Sequence, residues 1–236
     1  MRTAMRLLAM TLVATCAAPA WSASGCDKAC LENIAEQYRE AYRMRDPSRA
    51  PFAKKVRFTE NNVEMEFPDG SWDTVREEVG RALVLSDPQQ GQIGIFTAVM
   101  QNDVQTYVGA RLRVQRGQIT EVEHILSTRR NLSSPPTPIG DIYKDVRDPD
   151  FTRTVPQSAR ATREQLKRHA DGYFSTLQFN NGEIRGTRFA PGATRVENGL
   201  LFTEIEAGFK SGRYRFNNRV RDRDCFLVDE ERSAVL

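Results

Sequence analysis

The sequence predicts an α+β protein of two tandem cone-shaped domains. Each is a long helix packed on a curved antiparallel sheet, and the second is abbreviated at its C-terminus. Three observations predict this. First, one segment occurs twice. Ala35-Glu36-Gln37-Tyr38 stands upstream of Glu60-Asn61, with 22 residues from Tyr38 to Glu60, and Ala170-Asp171-Gly172-Tyr173 upstream of Glu197-Asn198, with 24 from Tyr173 to Glu197. That period far exceeds the roughly 20–50 residues of solenoid repeats, so two related domains are expected rather than an array. Second, helical periodicity comes first in each copy and strand patterns follow, an order that suits helices segregated to one face of a sheet. Third, when the second copy is laid on the first, Asp229 to Arg232 falls on the hairpin at Gln115 to Gln118, and almost no chain remains for a last strand. The expected boundaries are a leader at 1–22, a first domain at 26–130, a linker at 131–158 and a second domain at 159–236.

The leader is read from Arg2 and Arg6 ahead of the apolar run Leu7 to Ala18, too short to span a bilayer, with small-residue cleavage patterns at Ala18-Pro19-Ala20 and Ala20-Trp21-Ser22. The expected location is periplasmic or secreted. In the first domain, Leu31, Ile34, Ala35, Tyr38, Ala41 and Tyr42 recur at the three-four spacing of a helix with one buried face, which Asp46-Pro47 stops. Val56 to Thr59 and Val63 to Phe67 read as strands closed by Pro68-Asp69-Gly70. Ser71 to Val79 reads as a short capped helix. Strands are expected at Ala82 to Leu85, Gln92 to Met100, Val104 to Gln115 and Gln118 to Ser127, the last two joined by the two-residue connection Arg116-Gly117.

Asn131 to Pro138 has the proline and serine content of a linker. The second helix is expected over Ala159 to Leu177, with apolar positions at Ala161, Leu166, Ala170, Tyr173, Phe174 and Leu177. Strands are expected near Glu183 to Arg188, Thr194 to Glu197, Leu200 to Glu206 and Arg213 to Asp229. A sheet short of its last strand exposes an open edge, through which a homo-oligomer could form.

Charge and motif content exclude several function classes. Without Arg2 and Arg6, the 34 basic side chains fall to 32 against 31 acidic ones, so no electrostatic footprint for nucleic acid or an anionic membrane is expected. No Gly-rich phosphate loop, nucleophile elbow or His-Glu zinc motif is present, and no cofactor or metal is expected. Of the four cysteines, Cys26, Cys30 and Cys225 follow the leader. Their pairing stays open between a Cys26–Cys30 bridge, which would need an unwound first helical turn, and a bridge from either to Cys225.

The order helix, Asp-Pro stop, Phe58-Thr59-Glu60-Asn61-Asn62, Trp72 and a long hairpin through Gly117-Gln118-Ile119-Thr120-Glu121-Val122-Glu123 resembles the SnoaL-like, nuclear-transport-factor-2-like superfamily, and within it a secreted tandem-domain branch of largely unknown function. The resemblance implies a bent sheet wrapped round a helix with an apolar cavity between them. It also implies, for members that are enzymes, proton transfer by an Asp, His or Tyr in that cavity; other members bind ligands without chemistry.

Within that frame, His124 is the candidate base. Strict alternation puts Val122, His124 and Leu126 on one face and Ile119, Glu121, Glu123 and Ile125 on the other. Glu60 is a second catalytic candidate, and Asn61, Tyr38 and Trp72 are candidate contacts for a small apolar or aromatic molecule. Each has a plainer reading. Glu60 could bind backbone amides, Asn61 could occupy a turn, His124 could be a satisfied core residue, and Tyr38 and Trp72 could be packing. Two functions therefore stand: a cofactor-independent lyase or isomerase working by proton transfer, and a non-catalytic ligand-binding or assembly module.

Overall fold

The Asp27 carboxylate accepts the Cys30 N–H at 2.9 Å and so starts helix α1, Lys28–Met44, whose buried residues are the six apolar positions expected from their spacing. Arg45, with φ of 55°, turns the chain out of the helix. A computed structural model describes residues 25–129, 138–147 and 149–236. The expected leader, and residues 131–137 and 148 of the expected linker, lie outside the described residues. Cys26 is bonded to Cys30 across the intact first turn, with Cα atoms 5.3 Å apart, so no unwinding is needed. Cys225 is a free thiol.

After α1 come strands β1 (Phe52–Glu60) and β2 (Val63–Met65), one helical turn α2 (Ser71–Thr74), then β3 (Val75–Asp87), β4 (Gln92–Gln101), β5 (Val104–Gln115) and β6 (Gln118–Thr128). They form one six-stranded sheet in the order β2-β1-β6-β5-β4-β3. The expected sheet is wholly antiparallel, but β1 runs parallel to β6, with Glu60 opposite His124. The other neighbours are antiparallel. The helix expected over Ser71 to Val79 gives way after one turn. From Val75 the chain pairs with β4, and ladder pairing and burial override the local helical pattern.

Irregularities in the ladders curve the sheet. Between the pairs Val79↔Ala98 and Leu83↔Phe96, β3 advances four residues while β4 advances two, with Gly80 at φ 72° in the excess. A second shift at Arg113/Val114 carries Ile119 to the concave face, where it is fully buried, rather than to the face of Glu121 that strict alternation predicts. Helix α1 lies on the concave side against β3 and β4. Phe58, Trp72, Ile93, Ile95, Val99, Val108, Leu112 and Val122 complete that core.

The second half departs from expectation. Helix α3 (Arg163–Phe179) forms with Thr162 and Gln165 as a capping box, but its buried residues are Leu166, Gly172 and Thr176, and Phe174 is exposed. Strands β7 (Arg195–Glu197) and β8 (Leu200–Phe202) make one hairpin, Ile205–Lys210 is helix α4, and β9 (Val228–Asp229) pairs with β10 (Ala234–Val235). No strand forms at 183–188 or over 213–227, so no second curved sheet exists among the described residues and the expected open edge does not arise. The alternation of Arg213, Arg215, Arg219, Arg221 and Arg223 with Tyr214 and Phe216 looks like a strand locally, but no neighbouring strand meets it. Instead Ile205, Phe209 and Tyr214 pack with Tyr173, Leu177, Ile184, Phe189 and Phe202 in a small separate cluster. The molecule is thus mixed α+β, with one large curved sheet and four helices.

The recurring Glu-Asn has a local cause. Asn61 and Asn62 sit at φ 48° and 65° between Glu60 and Val63, and Asn198 and Gly199 at φ 49° and 76° between Glu197 and Leu200. Two consecutive residues at positive φ are the type I′ hairpin connection, which Asn and Gly tolerate best. The motif written twice is turn chemistry following a helix.

Two buried carboxylates attach the C-terminal segment to the sheet. Asp229 accepts the Ser86 N–H at 3.2 Å, the Arg232 N–H at 3.1 Å and the Lys28 ammonium at 2.8 Å. Asp87 accepts the Val228 N–H at 2.9 Å and pairs with Arg163 of α3. Leu227 and Leu236 thereby reach the convex face of the sheet at Gly94, where a Cβ would stand 2.7 Å from the Leu236 side chain.

Candidate functional site

Two places on the sheet bear on function, one on each face. On the concave face, pairing of β1 with β6 brings Glu60 and His124 together, and α1 sets Tyr38 above them. The Tyr38 hydroxyl lies 2.6 Å from His124 Nε2, the Ser71 hydroxyl 3.0 Å from Nδ1, and Glu60 Oε2 3.6 Å from Nδ1. The Ser71 N–H donates to the same Glu60 oxygen at 3.1 Å. Burial pushes the Tyr38 hydroxyl well above its ordinary pKa, so it keeps its proton. The Glu60 carboxylate beside Nδ1 favours a proton on that nitrogen, which leaves Nε2 to accept from Tyr38. Burial raises the Glu60 carboxyl, but the neighbouring His124 imidazole and hydrogen bonding from Ser71 outweigh it and leave the group below its ordinary value.

All five residues singled out from the sequence are near this seam, but not in the same role. His124 has no exposed surface, and Tyr38 and Trp72 are buried with it. Rings close around the imidazole: Tyr42 at 5.1 Å and Phe58 at 5.5 Å between centroids, both edge-to-face. Trp72 packs edge-on to Tyr38, Tyr42 and Phe67. Glu60, with 13% of its side chain exposed, is the node's contact with the surface. Asn61 stands apart in its turn. Its N–H donates to the His124 carbonyl and its Oδ1 accepts the Leu126 N–H, both at 2.8 Å, which fastens β1 to β6. Ser71, read from the sequence only as the start of a helix, is the residue missed; it bridges the imidazole and the carboxylate. Among the described residues no group of His, Cys, Asp and Glu could hold a metal ion, and no helix is long and apolar enough to cross a membrane.

On the convex face lies a cleft of about 730 Å³. The sheet provides its floor through Phe96, Gly109 and Ile125, and residues 142–147, the Asn198-Gly199 turn and Phe226 provide its walls. The walls are held by specific contacts. Tyr107 donates to the Asp141 carbonyl at 3.3 Å, the Ile142 N–H donates to Gln105, and the Gly140 N–H donates to the Asn198 carbonyl at 2.8 Å. Gly199 fits because it has no side chain: a Cβ there would come within 2.0 Å of the Tyr107 hydroxyl. Phe96 and Ile125 remain 39% and 48% exposed although they sit in the middle of a sheet. Strand alternation put Ile125 on the face opposite His124, but the element covering that face is distant in sequence and left no local signal.

Comparison with known proteins adds little to this geometry. Residues 159–236 match the model of a domain of unknown function (DUF8021). That is the last third of the chain, beginning just before α3. No curated protein matches. Among solved structures, a de novo designed protein with a curved β-sheet is similar at 16% identity, over 43% of this chain and 88% of that one, with a TM-score of 0.35. AclR, "a putative hydroxylase" from Streptomyces galilaeus, is similar at 12% identity, over 44% of this chain and 82% of that one, also with a TM-score of 0.35. Likeness of this degree says nothing about the chemistry of either face.

Proposed function

We propose that this protein is a binding module for a small apolar molecule held in the cleft on the convex face of the sheet, with the His124 node serving as a buried polar anchor of the fold. The observation that carries the reading is Phe96 and Ile125, two large apolar side chains half open to a cleft whose volume falls within the roughly 300–1,000 Å³ of small-molecule sites. The test is titration with an environment-sensitive apolar fluorophore, comparing the native chain with Ile125→Asp. A charge on the floor should weaken binding at least about tenfold, since contact with one such side chain contributes about 1.5–3 kcal/mol. Equal binding by both forms would dismiss the cleft.

A second reading, proton transfer in the manner of SnoaL-like enzymes, is favoured by the continuous chain from Tyr38 through His124 to Ser71 and Glu60. It has His124 as base, Glu60 orienting it, and Tyr38, Asn61 and Trp72 shaping the place of the substrate, which must enter past Glu60. A ligand screen by thermal shift, with turnover assayed, decides it: if native and His124→Ala chains shift alike and neither turns over any compound, the catalytic reading is dead. For location we propose export. Arg2 and Arg6 before the Leu7 to Ala18 run support it, as does the Cys26–Cys30 bridge, which suits an oxidising compartment. N-terminal sequencing of the chain recovered outside the cytoplasm should begin close to Ala23; recovery of Met1 would refute it.

A further inference from the structure

The charged side chains lining the convex-face cleft pair off with one exception. Arg111 donates to Glu123 at 2.8 Å and also contacts Glu121. Arg147 donates to Asp145 at 2.8 Å. Glu197 pairs with Arg195 at 3.2 Å. Lys144 is left: among the described residues its ammonium has no carboxylate partner. Its backbone is nonetheless fixed. The Lys144 N–H donates to the Asp141 carbonyl at 3.0 Å, and the neighbouring Tyr143 hydroxyl donates to Glu77 at 2.9 Å. The Asp141 carboxylate is turned to the Tyr143 N–H. Among the described residues, a cation without a carboxylate partner therefore stands at the wall of an apolar trough whose other charged side chains are paired.

We infer that the occupant of this cleft is a singly charged amphiphile, a medium-chain or aromatic carboxylate, with its apolar part on Phe96 and Ile125 and its carboxylate on Lys144. The inference rests on the proposed binding role of the same cleft and adds the class of ligand. Charge complementarity selects an anion, since among the described residues the one lining charged side chain without an opposite partner is positive. The type of cation selects a single negative charge. Phosphate recognition favours the planar fork of arginine, and both lining arginines are engaged, Arg111 by two carboxylates and by stacking 5.1 Å over the Phe226 ring. Lysine offers a compact point charge on a long apolar stem that can itself lie along the trough wall.

The experiment is calorimetric titration of the full chain with decanoate and with decanol, repeated on Lys144→Met and Ile125→Asp. Lys144 is exposed, so its replacement should leave the fold intact. The native chain should bind decanoate about tenfold more tightly than decanol, the size expected for a hydrogen bond to a charged group. High salt should narrow that difference. Lys144→Met should bind both compounds with the affinity of the alcohol, and Ile125→Asp should bind neither well. Equal affinity for acid and alcohol in the native chain, or unchanged decanoate binding by Lys144→Met, overturns the carboxylate inference while the apolar-binding reading stands. Binding of neither compound overturns both.

Discussion

Replacing Asp229 with alanine should destabilise the protein by about 3 kcal/mol, because one carboxylate joins three segments. In the native chain it is essentially buried and accepts from the Ser86 N–H, the Arg232 N–H and the Lys28 ammonium. Removing one partner of a buried pair costs about 3–5 kcal/mol. The lower end applies here, since Lys28 keeps 22% of its side chain exposed and can turn to Glu32 or Glu231, 3.8 and 3.6 Å away. The buried Ser86 N–H has no such alternative, and an unmet donor alone costs about 1–3 kcal/mol. In urea, with a slope of about 1–3 kcal/mol per molar, the midpoint should fall by 1 M or more; in a thermal scan Tm should drop by about 6–12 °C. Hydrogen exchange should accelerate first at Ser86 and Val228, showing the C-terminal hairpin leaving the sheet before the sheet itself opens. Adding Lys28→Met to Asp229→Ala should cost little more, since the pair is already broken. A loss below about 1 kcal/mol, or a double variant much weaker than Asp229→Ala, would refute the idea that this carboxylate fastens the two halves.

Two further outcomes concern the node at His124. Tyr38→Phe removes the donor to Nε2 and leaves a buried acceptor unmet, so a loss of about 1–3 kcal/mol by urea denaturation is expected; an unchanged midpoint would mean the 2.6 Å contact contributes nothing. The Glu60 carboxyl is held below its ordinary 4.5 in the folded state, so its contribution is complete above that pH and disappears as the pH falls through the folded value. Glu60→Gln should therefore lower stability at neutral pH and flatten the acid limb of the stability curve below about pH 4.5. A limb of native steepness would show that the His124 and Ser71 neighbours do not hold the carboxylate charged.

Much of the first half was legible because its signals are local. The three-four spacing from Leu31 to Tyr42 marked the buried face of α1, and Arg116-Gly117 marked the hairpin between β5 and β6, where both residues have positive φ. Three of the chosen polar residues, Tyr38, Glu60 and His124, do meet. What stayed hidden depends on partners far along the chain. Val75 to Val79 becomes strand because β4 is beside it, and β1 chooses a parallel neighbour some 60 residues later. The duplicated Glu-Asn suggests two related cones, the second abbreviated, but positive φ at Asn61 and Asn198 accounts for it as a turn. Around Arg213 to Arg223 the alternation is genuine, and a strand pattern without a ladder partner does not make a strand. The cleft was invisible because both of its walls are docked segments, and a pocket between a sheet and a returning chain has no sequence period.

The parallel seam between β1 and β6 has a consequence for how the molecule comes into being. Phe52–Glu60 is synthesised long before Gln118–Thr128; its short hairpin with β2 can form at once, but its other edge stays unpaired and Glu60 unenclosed until β6 arrives opposite it. On the ribosome the β6-facing edge of β1 must wait while the meander assembles, since pairing distant in sequence forms late. His124 arrives on that late strand, so its contacts with Tyr38 and Glu60 can form only once β6 has taken its place beside β1.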